Sequence, residues 1–161
     1  VSAHARSGGL TLGICNGFQI LTETQLLPGV LASNRGLKFL SREVNVRVEH
    51  AATPWTSALK PGQVLRMPIA HHDGAYVVDP ATPASREESG QVLLRYTSPE
   101  GALDPAWNLN GAAAAIAGLR NREGNVFGLM PHPERAMDDG LGSADGRRLL
   151  EGIVRSMEVA A

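Results

Sequence analysis

The feature that most constrains the fold of this chain is a short motif near its start, G-I-C-N-G at residues 13–17. An apolar run at residues 10–14 leads into the motif, and hydrophobic residues near helical spacing follow it. A strand, a tight glycine-flanked turn and a helix in this order are typical of an α/β unit. The only cysteine of the chain, Cys15, lies at the centre of that turn.

Composition excludes several function classes. The chain has 161 residues, enough for one domain, and its 15 Lys and Arg nearly balance its 16 Asp and Glu. This balance argues against nucleic acid or an anionic membrane surface as a partner. One cysteine rules out an internal disulfide and a cysteine-rich zinc site, and it suits a reducing cytosol. No apolar run approaches the roughly 20 residues of a membrane span. We therefore expect a cytoplasmic protein that binds neither nucleic acid nor membrane.

The first half of the chain is predicted to contain two helical segments and three strands besides the one before Cys15. Residues 1–9 are typical of the end of a helix closed by Gly8 and Gly9. The helix that begins at Asn16 should stop at the Pro-Gly pair of residues 28 and 29. Alternating valines at 44–48 indicate a strand, and residues 63–70 and 75–78 are interpreted as a hairpin around Asp73 and Gly74.

The second half is predicted to be rich in strands and to close with a helix. Residues 79–90 should form a solvent-facing loop or a short helix, and residues 91–97 a strand. Two further strands are expected in 113–121 and 125–133, joined by a turn at 122–124.

In the last helix Ser143 is a plausible N-cap and Asp145 suits the positive end. Its apolar stripe is Leu149, Leu150, Ile153, Val154 and Met157. The predicted fold class is α/β with an antiparallel segment in the middle.

The motif at residues 13–17 has the form of a nucleophile elbow. A nucleophile on such a turn has a strained backbone, and both flanking positions must be glycine-sized. The helix beginning at Asn16 should lower the pKa of the Cys15 thiol from about 8.5, and the Asn16 N–H can bind an oxyanion. The motif alone is equally compatible with a buried core thiol beside an ordinary βα turn.

A second motif, M-P-H-P-E-R at residues 130–135, supplies a base for such a nucleophile. In an extended segment His132 and Glu134 would point the same way, so that the carboxylate could orient the imidazole. The flanking prolines would hold the loop in one shape. The alternative is a surface turn with no role in chemistry, which is the commoner setting for a histidine between prolines.

Together these motifs resemble the class I glutamine amidotransferases. The resemblance extends from about Gly9 to the final helix and includes G-I-C-N-G-F-Q-I-L, P-I-A-H, N-x-N-G followed by I-A-G, and G-x-M-P-H-P-E-R. The later G-S-A-D-G is similar to the glutaminase subunits of phosphoribosylformylglycinamidine synthase in purine biosynthesis. The resemblance implies a flavodoxin-like three-layer sandwich in which residues 1–161 form one glutaminase domain.

The resemblance also implies a role for each matching residue. Cys15 would be the nucleophile that attacks the side-chain amide of glutamine, His132 the acid and base, and Glu134 its orienting partner. Ammonia leaves, and water activated by His132 hydrolyses the glutamyl thioester. The Asn16 backbone would donate to the oxyanion, and Gln19 would line the substrate pocket.

Partners follow from the same resemblance. In these enzymes the ammonia passes to a large synthetase subunit that uses ATP and magnesium to amidate formylglycinamide ribonucleotide, and a small adaptor subunit often joins the complex. No cofactor is implied for this chain itself.

The chain departs from the family pattern in two places. The N-terminal strand and helix units are absent, together with a P-G-G loop that supplies the other oxyanion donor, so we expect an incomplete domain that is poorly active or unstable alone. Residues 71–74 are H-H-D-G where the family tends to have H-G-E-G, and Ala112 replaces a common serine.

Several residues, and the function itself, have more than one interpretation. His71, His72 and Asp73 are a poor metal cluster, because adjacent strand side chains point to opposite faces. His71 is either a packing or turn residue or, by the resemblance, part of the pocket rim or a subunit contact. Trp55 and Trp107 either cap the core or anchor a partner. The rival functions are a γ-glutamyl peptidase-like cysteine hydrolase and a binding-only subunit without catalysis.

Overall fold

A computed structural model describes residues 1–79 and 89–160 of the chain. Most of the predicted loop or short helix at 79–90 therefore lies outside the described residues. The helices are α1 (Ser2–Arg6), α2 (Asn16–Glu23) and α3 (Asp145–Ala160). The strands are β1 (Thr11–Ile14), β2 (Val30–Ala32), β3 (Leu40–Val48), β4 (Val64–His71), β5 (Ala75–Val77), β6 (Val92–Thr97), β7 (Ile116–Arg120) and β8 (Val126–Leu129).

The strands form one mixed sheet of six and one small sheet of two. The large sheet has the order β1-β8-β7-β6-β3-β4, in which β1 and β8 are parallel and every other pair is antiparallel. Helices accompany this sheet, so the predicted α/β class with an antiparallel middle segment is confirmed. The turn between β7 and β8 also lies where the sequence predicts it.

The predicted hairpin around Asp73 and Gly74 is wrong. Strand β5 does not pair with β4; it pairs with β2, a strand that the sequence pattern did not reveal. The reason lies in the contacts of Asn34, whose backbone N–H donates to the His72 carbonyl at 2.8 Å and whose side-chain oxygen accepts from the Gly74 N–H at 3.2 Å. These long-range bonds turn the chain away from β4, and local turn residues carry no information about them.

The core lies between the large sheet and its covering segments. Strands β6 and β8 are buried along their whole length. Trp55 is 1% exposed, and its ring lies 5.6 Å from that of Phe127, so Trp55 caps the core. Trp107, by contrast, is 40% exposed.

Helix α3 covers one end of the sheet with a narrower apolar stripe than the sequence predicts. The Asp145 N–H donates to the Ser143 hydroxyl at 3.1 Å, in agreement with the predicted cap. Leu149 and Ile153 are buried, whereas Val154 and Met157 are 55% and 51% exposed. None of the described helices is long and apolar enough to cross a bilayer.

The sheet curls so that its two edges meet. Strand β4 is the last in the pairing order and β1 the first. Nevertheless the Pro68 carbonyl of β4 accepts from the His132 N–H at 2.8 Å, and the Ala70 carbonyl lies 3.8 Å from the Cys15 sulfur. Successive strands of a sheet rotate in one sense, and across six strands this twist accumulates. The curl places β4 beside the segments that follow β1 and β8.

Candidate active site

Cys15 has the backbone conformation of a nucleophile elbow. It follows β1 directly and has φ 51° and ψ −106°, in a region that side-chain-bearing residues rarely occupy. Its N–H donates to the Leu129 carbonyl at 2.8 Å, which ties the turn to the end of β8. The predicted strain at this position is therefore present in the structure.

The two glycines of the elbow have different roles. A Cβ on Gly13 would lie 2.5 Å from the Leu21 side chain and 2.7 Å from the Gly17 backbone, so this position must be glycine for α2 to pack on β1. A Cβ on Gly17 would meet no other atom of the described residues within 4 Å. The expectation that both flanks must be glycine-sized is thus wrong for Gly17, because its Cα faces open space.

The electrostatic environment of Cys15 also differs from the prediction. Burial raises the pKa of the thiol, and this outweighs the Asn16 backbone N–H and the Arg135 charge, both of which lower it; the Glu134 carboxylate adds a smaller rise. The helix N-terminus acts in the predicted direction, but desolvation of a charged sulfur is the larger effect. Cys15 therefore rests as a thiol and needs a base to become nucleophilic.

His132 and Glu134 are hydrogen-bonded to each other. The distance from His132 Nδ1 to Glu134 Oε1 is 2.5 Å, and the imidazole is 7% exposed. The segment is a 3-10 turn over Pro133–Arg135 and not the extended strand that was predicted, because the Arg135 N–H donates to the His132 carbonyl at 3.1 Å. The turn brings the carboxylate back to the ring, so the predicted pairing holds although its assumed geometry does not.

Parallel pairing of β1 with β8 brings the two motifs to one edge of the sheet. Ile14 lies opposite Leu129, so Cys15 and the P-H-P-E segment both follow the carboxyl ends of neighbouring parallel strands. Both charged residues of that segment act on the pKa of the Cys15 thiol: Arg135 lowers it and Glu134 raises it. The carboxyl ends of parallel strands are where α/β proteins position reactive groups.

The two predicted substrate-binding residues lie on the first turns of α2. The Asn16 backbone N–H lies at the Cys15 sulfur and lowers the pKa of the thiol, and its predicted bond to an oxyanion stays a prediction. The Gln19 side chain donates to the Asp73 carbonyl at 2.5 Å and so connects α2 to the turn after β4.

Sequence reasoning missed how much of the site comes from β4 and its neighbour Asn34. His71 ends β4, is 4% exposed and has its Nδ1 3.0 Å from the Asn34 side-chain oxygen, whereas the side chain of His72 is half exposed. Strand alternation correctly separates these two imidazoles. No pattern in the sequence identifies Asn34, whose partners at the end of β4 and in the turn after it are 37 to 40 positions away.

The described residues offer no metal site. Within 1–79 and 89–160, no three or more His, Cys, Asp or Glu side chains form a group that could hold a metal ion.

Comparison with known proteins extends the resemblance to nearly the whole chain. The family model for the CobB/CobQ-like glutamine amidotransferase domain matches residues 2–148. The chain is 53% identical over 156 residues to the phosphoribosylformylglycinamidine synthase subunit PurQ of Gloeobacter violaceus, covering 97% of this chain and 67% of that protein. It is 52% identical over 161 residues to PurQ of Bradyrhizobium diazoefficiens, covering 100% of this chain and 69% of the relative.

A solved structure gives the same result. The structure of PurLQS from Thermotoga maritima contains a chain that matches with a TM-score of 0.81 and 40% identity, over 97% of this chain and 66% of the other. The chain thus spans about two thirds of the length of the relatives it matches. It belongs to the CobB/CobQ-like glutamine amidotransferases and, within them, to the family of PurQ subunits of phosphoribosylformylglycinamidine synthase.

Proposed function

We propose that this chain is a glutaminase that hydrolyses glutamine to glutamate and ammonia, with Cys15 as nucleophile, His132 as acid and base, and Glu134 as orienting carboxylate. The observation that carries the proposal is the strained backbone of Cys15 at the end of β1, which pairs with β8. The segment that follows β8 contains His132 and Glu134, with Nδ1 of the first 2.5 Å from Oε1 of the second. A thiol activated by an oriented imidazole is an arrangement for acyl transfer.

The first half-reaction forms a thioester. Cys15 gives its proton to His132 Nε2 as the sulfur attacks the γ-carbonyl carbon of glutamine, and the Asn16 N–H binds the oxyanion. His132 then passes that proton to the amide nitrogen, the C–N bond breaks, and ammonia leaves. Glu134 accepts from Nδ1 throughout, so it stabilises the imidazolium that forms between the two proton transfers.

The second half-reaction restores the enzyme. A water molecule gives a proton to His132 and attacks the thioester carbonyl. The C–S bond then breaks, the sulfur takes that proton back from His132, and glutamate is released. In this proposal Gln19, whose side chain donates to the Asp73 carbonyl after β4, lines the substrate pocket. Because burial raises the pKa of Cys15, the first half-reaction depends on His132 to take the thiol proton, and the second depends on it to activate water.

The ammonia would be used by a partner. The PurQ names and the PurLQS structure support a large synthetase subunit as the partner. In this proposal that subunit receives the ammonia and binds ATP and magnesium, and this chain needs no cofactor of its own. A small adaptor subunit would join this complex, and the complex would work in the cytoplasm. The acceptor in this scheme is formylglycinamide ribonucleotide, which becomes formylglycinamidine ribonucleotide.

Alkylation tests the nucleophile directly, because Cys15 is the only thiol of the chain. A glutamine-analogue electrophile should modify the protein far faster than it modifies a free model thiol, and glutamine should protect it. A binding-only subunit would show neither effect. A γ-glutamyl peptidase would be distinguished by faster release of an amino acid from γ-glutamyl peptides than of ammonia from glutamine.

Matched variants test the base. His132→Asn should lower ammonia release by about 10³-fold or more, as loss of a general base does in related catalytic groupings. His50→Asn is the control and should keep wild-type activity, because His50 follows the end of β3 at Val48, whereas the opposite end of that strand, Leu40, pairs with His71. With the synthetase subunit added, glutamine-dependent amidation should require this chain, whereas amidation with ammonium chloride should not.

A further inference from the structure

Hydrogen bonding fixes the tautomer of His71. The side-chain nitrogen of Asn34 donates to the Lys38 and His71 carbonyls at 2.8 and 2.9 Å, so its oxygen is the acceptor side of the amide. That oxygen accepts from the Gly74 N–H and lies 3.0 Å from His71 Nδ1. His71 Nδ1 must therefore carry a proton and donate to Asn34. The other ring nitrogen, Nε2, is left as a hydrogen-bond acceptor.

This acceptor is buried and has no partner among the described residues. Burying a polar atom without a hydrogen bond costs about 1–3 kcal/mol, and native proteins hold few such atoms. His132 Nε2 is also buried without a hydrogen-bond partner among the described residues. In the proposed mechanism the Cys15 thiol donates to it. The mechanism supplies none for His71, so its donor must come from elsewhere.

His71 lies within the proposed active site. The strand that His71 ends, β4, is bonded to the His132 segment, because the His132 N–H donates to the Pro68 carbonyl at 2.8 Å. The residue before His71, Ala70, has its carbonyl 3.8 Å from the Cys15 sulfur, and the turn after it, at Asp73, accepts from Gln19. The backbone on both sides of His71 is thus attached to the elbow and its helix.

The ring is held rigidly and stays neutral. Asn110 donates to the Gly74 carbonyl at 2.7 Å, and a Cβ on Gly74 would collide with the His71 ring, so the turn closes over the imidazole. Burial, with a smaller contribution from His132, lowers the pKa of His71 to about 4. A neutral acceptor in this place attracts an N–H donor and does not compete with His132 for the Cys15 proton.

We propose that His71 Nε2 accepts a hydrogen bond from the carboxamide nitrogen of the substrate, the nitrogen that leaves as ammonia. This inference rests on the proposed glutaminase function and adds a specificity determinant to it. His71 transfers no proton: the C–N bond breaks with the proton that His132 delivers. The nitrogen becomes more positive as that proton arrives, so its N–H bond to His71 strengthens in the transition state and favours an amide over an ester.

A pair of substrates tests the proposal. Glutamine has N–H donors on its leaving group, whereas the γ-methyl ester of glutamate has none. His71→Asn keeps a donor near the Nδ1 position and removes the Nε2 acceptor, so it should lower kcat/KM for glutamine by about 10- to 100-fold and for the ester by less than about threefold. His71→Gln, which can place an oxygen near Nε2, should recover part of the amide activity. His72→Asn, at the half-exposed neighbouring position, is the control and should behave as the wild type.

The outcomes separate this proposal from the function on which it rests. An equal loss on both substrates in His71→Asn would show a structural role only and would overturn the proposal. A wild-type protein that hydrolyses neither substrate would contradict the glutaminase function itself.

A second measurement does not depend on folding of the His71 variants. In the Cys15→Ala protein, glutamine should shift the ¹⁵N resonance of His71 Nε2, and the γ-methyl ester should leave it in place. Bound glutamine without any shift would overturn the proposal.

Discussion

Cys15 holds a backbone conformation, φ 51° and ψ −106°, that costs about 1–3 kcal/mol for a residue with a side chain. The surrounding contacts compensate for that cost: the Leu129 carbonyl fixes its N–H at 2.8 Å, and its sulfur is half-buried against the Ala70 carbonyl. The same burial raises the pKa of the thiol. At the scale of one residue, the strand-to-helix turn that strains the Cys15 backbone also half-buries its thiol, so the proposed nucleophile depends on His132.

His71 should make the stability of the protein depend on pH. In the unfolded chain its imidazole takes up a proton below about pH 6.5, but in the folded protein, where burial lowers its pKa to about 4, it does so only near that pH. Between these values the unfolded state binds more protons, so acid favours unfolding. The free energy of unfolding should fall by about 1–3 kcal/mol from pH 6.5 to pH 4 because of this one group.

Urea unfolding of the wild type and of His71→Asn at pH 7, 6, 5 and 4 measures this contribution. The variant should be less stable at pH 7, where it loses a packed ring, but its free energy of unfolding should decrease less steeply towards pH 4. Parallel curves for the two proteins across that range would contradict the assigned burial of the imidazole.

At the scale of elements, β1, the elbow and α2 form the unit that the sequence predicts best. Glycine positions, an apolar strand and helical spacing are all local signals, and they are sufficient to place Cys15 at the start of a helix. The difference between Gly13 and Gly17 is not a local signal, because it depends on how closely α2 approaches β1. The 3-10 turn at Pro133–Arg135 is likewise set by its own hydrogen bonds and not by the strand that precedes it.

Substituting each glycine of the elbow separately should reveal this asymmetry. In Gly13→Ala the new Cβ meets Leu21 at 2.5 Å and the Gly17 backbone at 2.7 Å, so α2 must shift and the free energy of unfolding should fall by about 1–3 kcal/mol. Ammonia release should fall as well, because the Asn16 N–H moves with the helix. Gly17→Ala has open space and adds a better helix former, so it should be neutral or stabilising by up to about 1 kcal/mol.

Chemical denaturation and glutaminase assays on both variants make the comparison, and each serves as the control for the other. If Gly17→Ala were as destabilising as Gly13→Ala, the packing of α2 on β1 described here would be wrong.

At the scale of the whole molecule, the site depends on contacts that no short stretch of sequence encodes. The sequence identifies Cys15, His132 and Glu134, and it gives the fold class. It does not reveal that β4 lies beside the segments that contain these residues, because this proximity results from twist accumulated over six strands. From the sequence, His71 is therefore either a packing or turn residue or, by the resemblance, part of the pocket rim or a subunit contact. The pairing of β5 with β2 depends in the same way on long-range contacts, those of Asn34.

Helix α3 supports the catalytic turn from outside the sheet, and it provides the last test. The Arg147 N–H donates to the Ala136 carbonyl at 3.1 Å, and a Cβ on Gly146 would collide with the Pro133 carbonyl. Gly146→Ala should therefore displace the turn that carries Glu134. Because small misplacements of catalytic groups lower rates by up to about 10²-fold, we expect kcat for ammonia release to fall by about 10- to 100-fold.

Gly152→Ala is the matched control on the same helix. Its Cβ would lie 2.9 Å from the Ala58 Cβ, far along α3 from the catalytic turn, so it should lower stability by about 1–3 kcal/mol but leave kcat unchanged. Both variants are compared by steady-state ammonia release under conditions where thermal unfolding shows each to be fully folded. If kcat fell in both variants in proportion to the stability that each loses, α3 would contribute only to folding. A fall confined to Gly146→Ala would show that this helix sets the position of the His132–Glu134 pair, and thus that the active site extends to the last helix of the chain.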